Sequence, residues 1–89
     1  MFDLHGRVAR QLLSLAAECG EPLQEGAEGS DAVLIPLRLT QSDLAAMVGA
    51  TRARVNAVLM YYKRHGVIAV DRSLRITLRD PAALEARAR

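Results

Sequence analysis

LTQSDLAAMVGATRARVNAVL, residues 39–59, is the stretch of this 89-residue chain that decides its fold. Thr40 is followed three residues later by Asp43, which is typical of a capping box with Asp in place of the usual Glu. In that arrangement each side chain accepts a backbone N–H of the other residue, so a helix is predicted to begin here. Its apolar face is expected to hold Leu44, Met47 and Val48.

A second helix is predicted after one short turn. Gly49 ends the first helix, because glycine tolerates the positive φ that this position often requires. Thr51 is expected to cap the second helix, which ends before Gly66. Two helices joined by a three- or four-residue turn with a glycine describe a helix-turn-helix, here at residues 41–65. The inward face of its second helix is predicted to hold Val55, Val58, Leu59 and Tyr62.

A β-hairpin is predicted directly behind the second helix, because the apolar period changes there from 3.6 to 2. One short strand covers residues 67–70, a tight turn covers 71–73, and an alternating strand covers 74–78. A hairpin in this position is a wing, at residues 67–79. The inward side chains of its second strand are expected to be Leu74, Ile76 and Leu78.

The segments around this centre complete the prediction. An amphipathic helix is expected over residues 3–19, followed by an acidic loop at 20–31 and a strand at 33–37 whose internal proline favours a sheet edge. Asp80 followed by a proline predicts a C-terminal helix at 81–88. The chain is therefore interpreted as one α+β domain over residues 1–89, a winged helix-turn-helix with a helical core and a small antiparallel sheet.

The charge of the chain is unevenly distributed. Residues 1–31 hold two arginines and six acids, a net charge of −4, while the whole chain carries +2, so the remainder carries +6. Between residues 51 and 79 there are seven cations and one anion. This asymmetry suggests a surface that faces a polyanion. A solvated charged face accounts for it equally well.

Several function classes find no support in the sequence. Cys19 is the only cysteine, which excludes an intramolecular disulfide and a cysteine metal cluster. His5 and His65 are the only histidines, and neither belongs to a recognisable catalytic or metal-binding pattern. The length also excludes most enzyme architectures, and no apolar run is long enough to span a membrane. We therefore expect no enzyme activity, cofactor, metal or membrane partner, and a cytoplasmic location.

The outward face of the second helix is the candidate base-reading surface. Arg52 and Asn56 lie four residues apart in its first turns, and Ala53 lies beside them. Arginine can donate two hydrogen bonds to guanine, and asparagine can bond to adenine through N6 and N7. The alternative for Arg52 is a phosphate contact or an idle surface position, and for Asn56 it is an ordinary exposed helix residue.

Phosphate contacts are expected around these positions. A helix N-terminus offers free backbone N–H groups to an anion, so a capping threonine can serve both the helix and the DNA. Cations further along the helix and at the wing tip would add sequence-independent affinity. The alternative for the threonines is capping alone, and for the wing tip it is simple solvation. The predicted phosphate contacts are Thr40, Gln41, Ser42, Thr51, Arg54, Lys63, Arg72 and Ser73.

These motifs resemble the C-terminal DNA-binding domain of the CRP/FNR (cyclic-AMP receptor protein) family of bacterial transcription regulators. The likeness includes GRVARQLLSLA at 6–16, the helix-turn-helix at 39–59, HGVI at 65–68 and the short wing. It implies that Thr51 contacts a phosphate and that Arg52 reads guanine. The family often has a glutamate and a second arginine where this chain has Ala53 and Ala57, and a small residue at the position of Asn56. The family's usual half-site is therefore not carried over to this sequence.

The resemblance also sets expectations about partners. Double-stranded DNA is the expected partner and RNA polymerase a candidate one. Family members place a cyclic-nucleotide-like barrel and a dimerisation helix before this domain, so the sensor is expected to lie outside this chain. The full-length regulator is expected to be a homodimer and this chain a monomer. The competing hypothesis is a winged-helix module for protein interaction or dimerisation without specific DNA reading.

Overall fold

The computed structural model describes residues 3–23 and 32–88. The described residues form four helices and a four-stranded antiparallel sheet, an α+β winged helix-turn-helix as predicted. The elements in chain order are α1 (Leu4–Cys19), β1 (Glu21–Pro22), β2 (Val33–Ile35), α2 (Gln41–Val48), α3 (Arg52–Arg64), β3 (Ile68–Val70), β4 (Ile76–Leu78) and α4 (Pro81–Ala88).

Side chains cap the helix starts, at Thr40 and Thr51 as predicted and also at Asp3. The Asp3 carboxylate accepts the Gly6 N–H at 2.8 Å at the start of α1. At the start of α2, the Thr40 hydroxyl accepts the Asp43 N–H at 3.0 Å, and the Asp43 carboxylate accepts the Thr40 N–H at 2.9 Å. Thr51 accepts a backbone N–H at the start of α3. These bonds satisfy N–H groups that the helices themselves leave without partners.

The sheet corrects the prediction on the N-terminal side of the helix-turn-helix. The strand order is β1-β2-β4-β3, so β2 has neighbours on both sides, and the expectation of an edge strand at 33–37 is wrong. The strand ends at Ile35 because Pro36 has no N–H to continue the ladder. The edge position belongs to β1, which occupies the beginning of the predicted loop 20–31. Residues 24–31 of that loop lie outside the described residues.

The wing strands are shorter than predicted, because β3 begins at Ile68 and β4 at Ile76, and the clearest difference is at Leu74. Leu74 has a φ of 61° and lies in the turn, so β4 begins only at Ile76. The Leu74 N–H donates to the Asp71 carbonyl at 3.0 Å, and the Leu74 carbonyl accepts the Leu39 N–H at 2.9 Å. A left-handed residue cannot continue the pleat of a strand, so Leu74 is half-buried rather than inward-facing. Ile76 and Leu78 are buried as predicted.

The core lies between the helices and one face of the sheet. All four residues predicted to face inward from α3 are buried, and Leu44 of α2 is fully buried beside them. No polar or charged residue among those described is buried. Met47 departs from the prediction, because 47% of it is exposed. It lines an open cleft beside Arg7 and Arg10 of α1 instead of facing the core.

Candidate nucleic-acid interface

The rotation of α3 is fixed by its buried side. Val55, Val58, Leu59 and Tyr62 are at most 7% exposed, which turns the opposite face of the helix to solvent. The Tyr62 hydroxyl donates to the His5 carbonyl at 2.7 Å, so α3 is also bonded to α1. Burial raises the pKa of the Tyr62 phenol, which stays neutral as a hydrogen-bond donor. A helix held in this way presents a defined set of side chains outward.

The predicted base-reading positions lie on the solvent side of α3. Arg52 and Ala53 are exposed, whereas Asn56 is half-buried. The acidic side chains that would repel DNA are absent from α3, whose sequence is RARVNAVLMYYKR. Lys63 and Arg64 are exposed in the last turn. Cations therefore stand at both ends of the outward face.

Asn56 is not independent of α2. Its side-chain oxygen accepts a hydrogen bond of 2.6 Å from the side-chain nitrogen of Gln41. The structure thus joins a predicted base reader to a predicted phosphate contact. The bond occupies one of the two lone pairs of the Asn56 oxygen and holds its rotamer, while the NH₂ group remains available as a donor. Sequence reasoning missed this pair, because the two residues are 15 positions apart and lie on different helices.

The turn between α2 and α3 is held from behind by α1. Gly49 adopts a left-handed conformation with a φ of 72°, as predicted, and its N–H donates to the Ala45 carbonyl. The Arg7 guanidinium donates to the Val48 carbonyl and lies 3.4 Å from the Gly49 carbonyl. A cation at these carbonyls also complements the negative end of the α2 dipole. Arg7 was missed because it is more than forty residues from its partners.

Five of the predicted phosphate contacts lie at two helix N-termini, whereas Lys63 lies in the last turn of α3. Gln41 and Ser42 are exposed in the first turn of α2, and Thr40 is half-buried beside them. Thr51 and Arg54 are exposed at the start of α3. Both threonines cap their helices, so their structural role is established, and their predicted contact with phosphate stays a prediction.

The wing tip adds a second basic surface. Arg72 and Ser73 are exposed there, as expected of a turn that reaches outward. Arg38 and Arg75 line an open cleft of about 490 Å³ with them. Sequence reasoning missed Arg38, which precedes α2 and is brought to the wing by the pairing of β2 with β4.

One acid shapes this basic surface. Asp71 accepts the Arg75 and Ser73 backbone N–H groups, and its carboxylate lies 2.9 Å from the Arg75 Nε. The backbone bond from Arg75 chiefly holds the pKa of Asp71 below its ordinary value, so the carboxylate is ionised at neutral pH. Arg75 is therefore partly neutralised, and Arg38 and Arg72 are left as the better-placed cations for an anion.

The histidines and the cysteine make local contacts with neighbouring helices or with their own helix. His65 Nδ1 lies 2.9 Å from the Tyr61 carbonyl at the end of α3, and the His5 ring stacks edge-on against Tyr61. The Cys19 thiol donates to the Leu15 carbonyl within its own helix. Among the described residues, no group of three His, Cys, Asp or Glu side chains is placed to hold a metal. None of the described helices combines the length and apolar character needed to cross a membrane.

Comparison with known proteins agrees with this geometry. The model of the Crp-like helix-turn-helix domain family matches residues 6–87. The "CRP-like cAMP-activated global transcriptional regulator" of Mycobacterium tuberculosis is 38% identical over 87 residues, covering 98% of this chain and 36% of that protein. The "Anaerobic regulatory protein" of Bacillus subtilis is 43% identical over 53 residues, covering 60% of this chain and 22% of that protein. The chain thus spans about a third or less of the length of these relatives.

Solved structures give the same result. A CRP/FNR-family transcriptional regulator from Thermus thermophilus superposes with a TM-score of 0.73 at 33% identity, covering 98% of this chain and 41% of the other. The CO-dependent transcription factor CooA from Carboxydothermus hydrogenoformans has a TM-score of 0.83 at 24% identity, covering 98% and 37%, which supports the fold.

The two capped helices, the glycine turn and the wing define the winged helix-turn-helix class, and the family match and the relatives identify the chain as a DNA-binding domain of a transcription regulator. Within that class, the chain belongs to the Crp-like helix-turn-helix domain family. The predicted resemblance to CRP/FNR regulators is thereby confirmed.

Proposed function

We propose that this domain binds double-stranded DNA sequence-specifically, with α3 in the major groove. The observation that carries the proposal is the outward face of α3, which offers Arg52 and the Asn56 amide in its first turns and no acid along its length. Arg52 would donate to the O6 and N7 atoms of guanine. Asn56, held by Gln41, would present its NH₂ group to a base acceptor.

The surrounding groups would fix the register of the helix on the duplex. The α2 and α3 N-termini offer Thr40, Gln41, Ser42 and Thr51 to phosphates on either side of the groove. Arg54 and Lys63 would contribute along α3, and Arg72 with Ser73 at the wing. These contacts carry no sequence information, and their strength falls with salt because each neutralised phosphate releases counterions.

The longer regulator would act as a pair of such domains. The M. tuberculosis relative is named as a cAMP-activated regulator, and this chain covers about a third of its length. We propose that a full-length homodimer reads two half-sites about one helical turn apart, with RNA polymerase as a candidate partner. An isolated domain would bind as a monomer with lower affinity.

Selection from a random pool of duplexes, followed by footprinting, tests specific binding. The expected result is one enriched half-site whose affinity falls linearly on a log–log plot against salt. Replacing Arg72 with Ala should reduce the magnitude of that slope by about one for all sequences. Arg87→Ala is the matched control. Arg87 lies 3.8 Å from the Asp3 carboxylate and near Tyr62, whose ring is on the side of α3 opposite the proposed DNA face, so its removal should leave the slope unchanged.

The second candidate is a protein-interaction module. It is favoured by the low polarity of the outward face of α3, where Ala53, Ala57 and Met60 are exposed. A domain with this function alone would show no salt-sensitive retention on nonspecific DNA. Retention that weakens with salt, together with an enriched half-site, therefore supports DNA binding over this alternative.

A further inference from the structure

The centre of the outward face of α3 is apolar. Ala53 and Ala57 are exposed, and Met60 is exposed over 45% of its surface. At 100° per residue these three positions fall within a sector of about 60°, one above the other along the helix. We refer to Ala53, Ala57 and Met60 as the apolar strip. Arg52 and Asn56 lie along one flank of it.

The charges around the apolar strip indicate what covers it. Arg52 and Arg54 stand in the first turn of α3, and Lys63 and Arg64 stand in its last turn. With no acid in the helix, a partner must be anionic at its edges and apolar at its centre. A duplex that exposes thymines in its major groove meets both requirements, because its phosphates flank the groove and each thymine presents a 5-methyl group there.

The sizes of the side chains fit the same partner. Two alanines place little bulk between the helix backbone and the floor of the groove, so α3 can approach the bases closely. Met60 follows them and lies beside Asn56 and Lys63 along a shallow groove between α3 and the wing. Its unbranched thioether can adapt to a methyl group in more than one position.

We infer that the apolar strip reads thymine 5-methyl groups in the half-site, next to the base pair that Arg52 contacts. This inference rests on the proposed function and specifies its base preference. Alanine and other small apolar groups are known to make such contacts with thymine. Specificity at these base pairs would come from burying a methyl group and not from a hydrogen bond.

The inference can be tested without changing the protein. The half-site selected by the full 89-residue chain is synthesised with deoxyuridine at one thymine at a time, which removes only the methyl group. We expect Kd to rise about fourfold at one or more thymines within the half-site, as for the loss of one buried methyl-sized group. Deoxyuridine outside the footprint should leave Kd unchanged.

Protein variants then assign the effect to the strip. Ala57→Ser and Met60→Gln keep similar sizes but present polar groups, so the deoxyuridine penalty at the contacted thymine should largely disappear in one or both variants. Ala86→Ser, an equivalent change at an exposed position of α4, is the matched control and should keep the full penalty.

The outcomes separate the inference from the function on which it rests. A half-site that binds tightly but shows no deoxyuridine penalty at any position overturns the reading of methyl groups and leaves DNA binding intact. The same holds if the penalty persists unchanged in both strip variants. Failure to enrich any half-site, or capture of a protein partner by the strip in place of DNA, overturns both.

Discussion

The hydrogen bond between α3 and α1 gives a direct test of how the recognition helix is held. Tyr62 is 1% exposed, and its hydroxyl donates to the His5 carbonyl at 2.7 Å. Tyr62→Phe keeps the ring and removes this bond. We expect the free energy of unfolding to fall by about 1 kcal/mol, the usual net value of one buried hydrogen bond. For a domain of this size, the corresponding decrease in Tm is about 4 to 8 °C.

The measurement is urea denaturation followed by far-UV circular dichroism, with Tyr61→Phe as the matched control. Tyr61 is the preceding residue of α3 and is 37% exposed, so it does not share the burial of Tyr62. Its substitution should change stability by less than about 0.5 kcal/mol. If Tyr62→Phe lowers the free energy of unfolding no more than Tyr61→Phe does, the hydrogen bond does not hold α3 on α1 and the reasoning fails.

The effect of Tyr62→Phe on stability should also depend on pH in the alkaline range. Burial raises the pKa of Tyr62 above its ordinary value, so the folded state keeps the proton after an unfolded chain has released it. The stabilisation from the neutral phenol is complete below about pH 10, the ordinary pKa of tyrosine. It is lost as pH rises through the raised pKa of Tyr62 in the folded state. The difference in unfolding free energy between wild type and Tyr62→Phe should therefore shrink in alkali. An alkali-independent difference would contradict the assigned cause.

Three further predictions concern the helix-turn-helix. Gly49→Ala and Gly66→Ala should each lower the unfolding free energy by about 1 kcal/mol in urea titrations, because both glycines have positive φ. Of the two variants, only Gly49→Ala should also weaken DNA binding, because Gly49 lies in the turn that joins α2 to α3. Arg7→Met should lower stability by about 1.5 kcal/mol, the value of a charged hydrogen bond, and should reduce affinity for the selected half-site in fluorescence anisotropy. The backbone and side-chain bonds to Thr40 lower the pKa of Asp43, so its contribution is complete above about pH 4 and is lost as pH falls through the lowered value. Asp43→Asn should thus be less stable than wild type at pH 7, and urea titrations should show that gap narrowing in acid.

Most of the fold was predictable because its signals are local. The caps Thr40, Asp43 and Thr51 and the turn residue Gly49 act within a few positions of the chain, and the structure confirms each. Two errors concern single side chains: Met47 is exposed, and Leu74 lies left-handed in the turn. The error in the sheet concerns long-range pairing. Whether β2 lies at an edge depends on whether the earlier strand β1 pairs with its free side. The sequence around Pro36 alone does not contain that information.

The candidate site shows the same division. Periodicity identified which side of α3 faces solvent, and with it the exposure of Arg52 and Ala53. The contact of Gln41 with Asn56 and the support of the turn by Arg7 depend on how helices cross, which spacing along one helix cannot specify. Arg38 reaches the wing only through strand pairing.

The central claim is that the first turn of α3 reads bases. The most direct test measures the affinity of wild type, Arg52→Ala and Arg54→Ala for the selected half-site and for every single-base-pair change in it. We predict that Arg52→Ala loses about 1 to 3 kcal/mol on the selected site and no longer distinguishes the bases at one position. Arg54→Ala should weaken all duplexes by a similar factor. If Arg52→Ala keeps the wild-type base preference at every position, Arg52 does not read a base, and the proposed orientation of α3 in the major groove is contradicted.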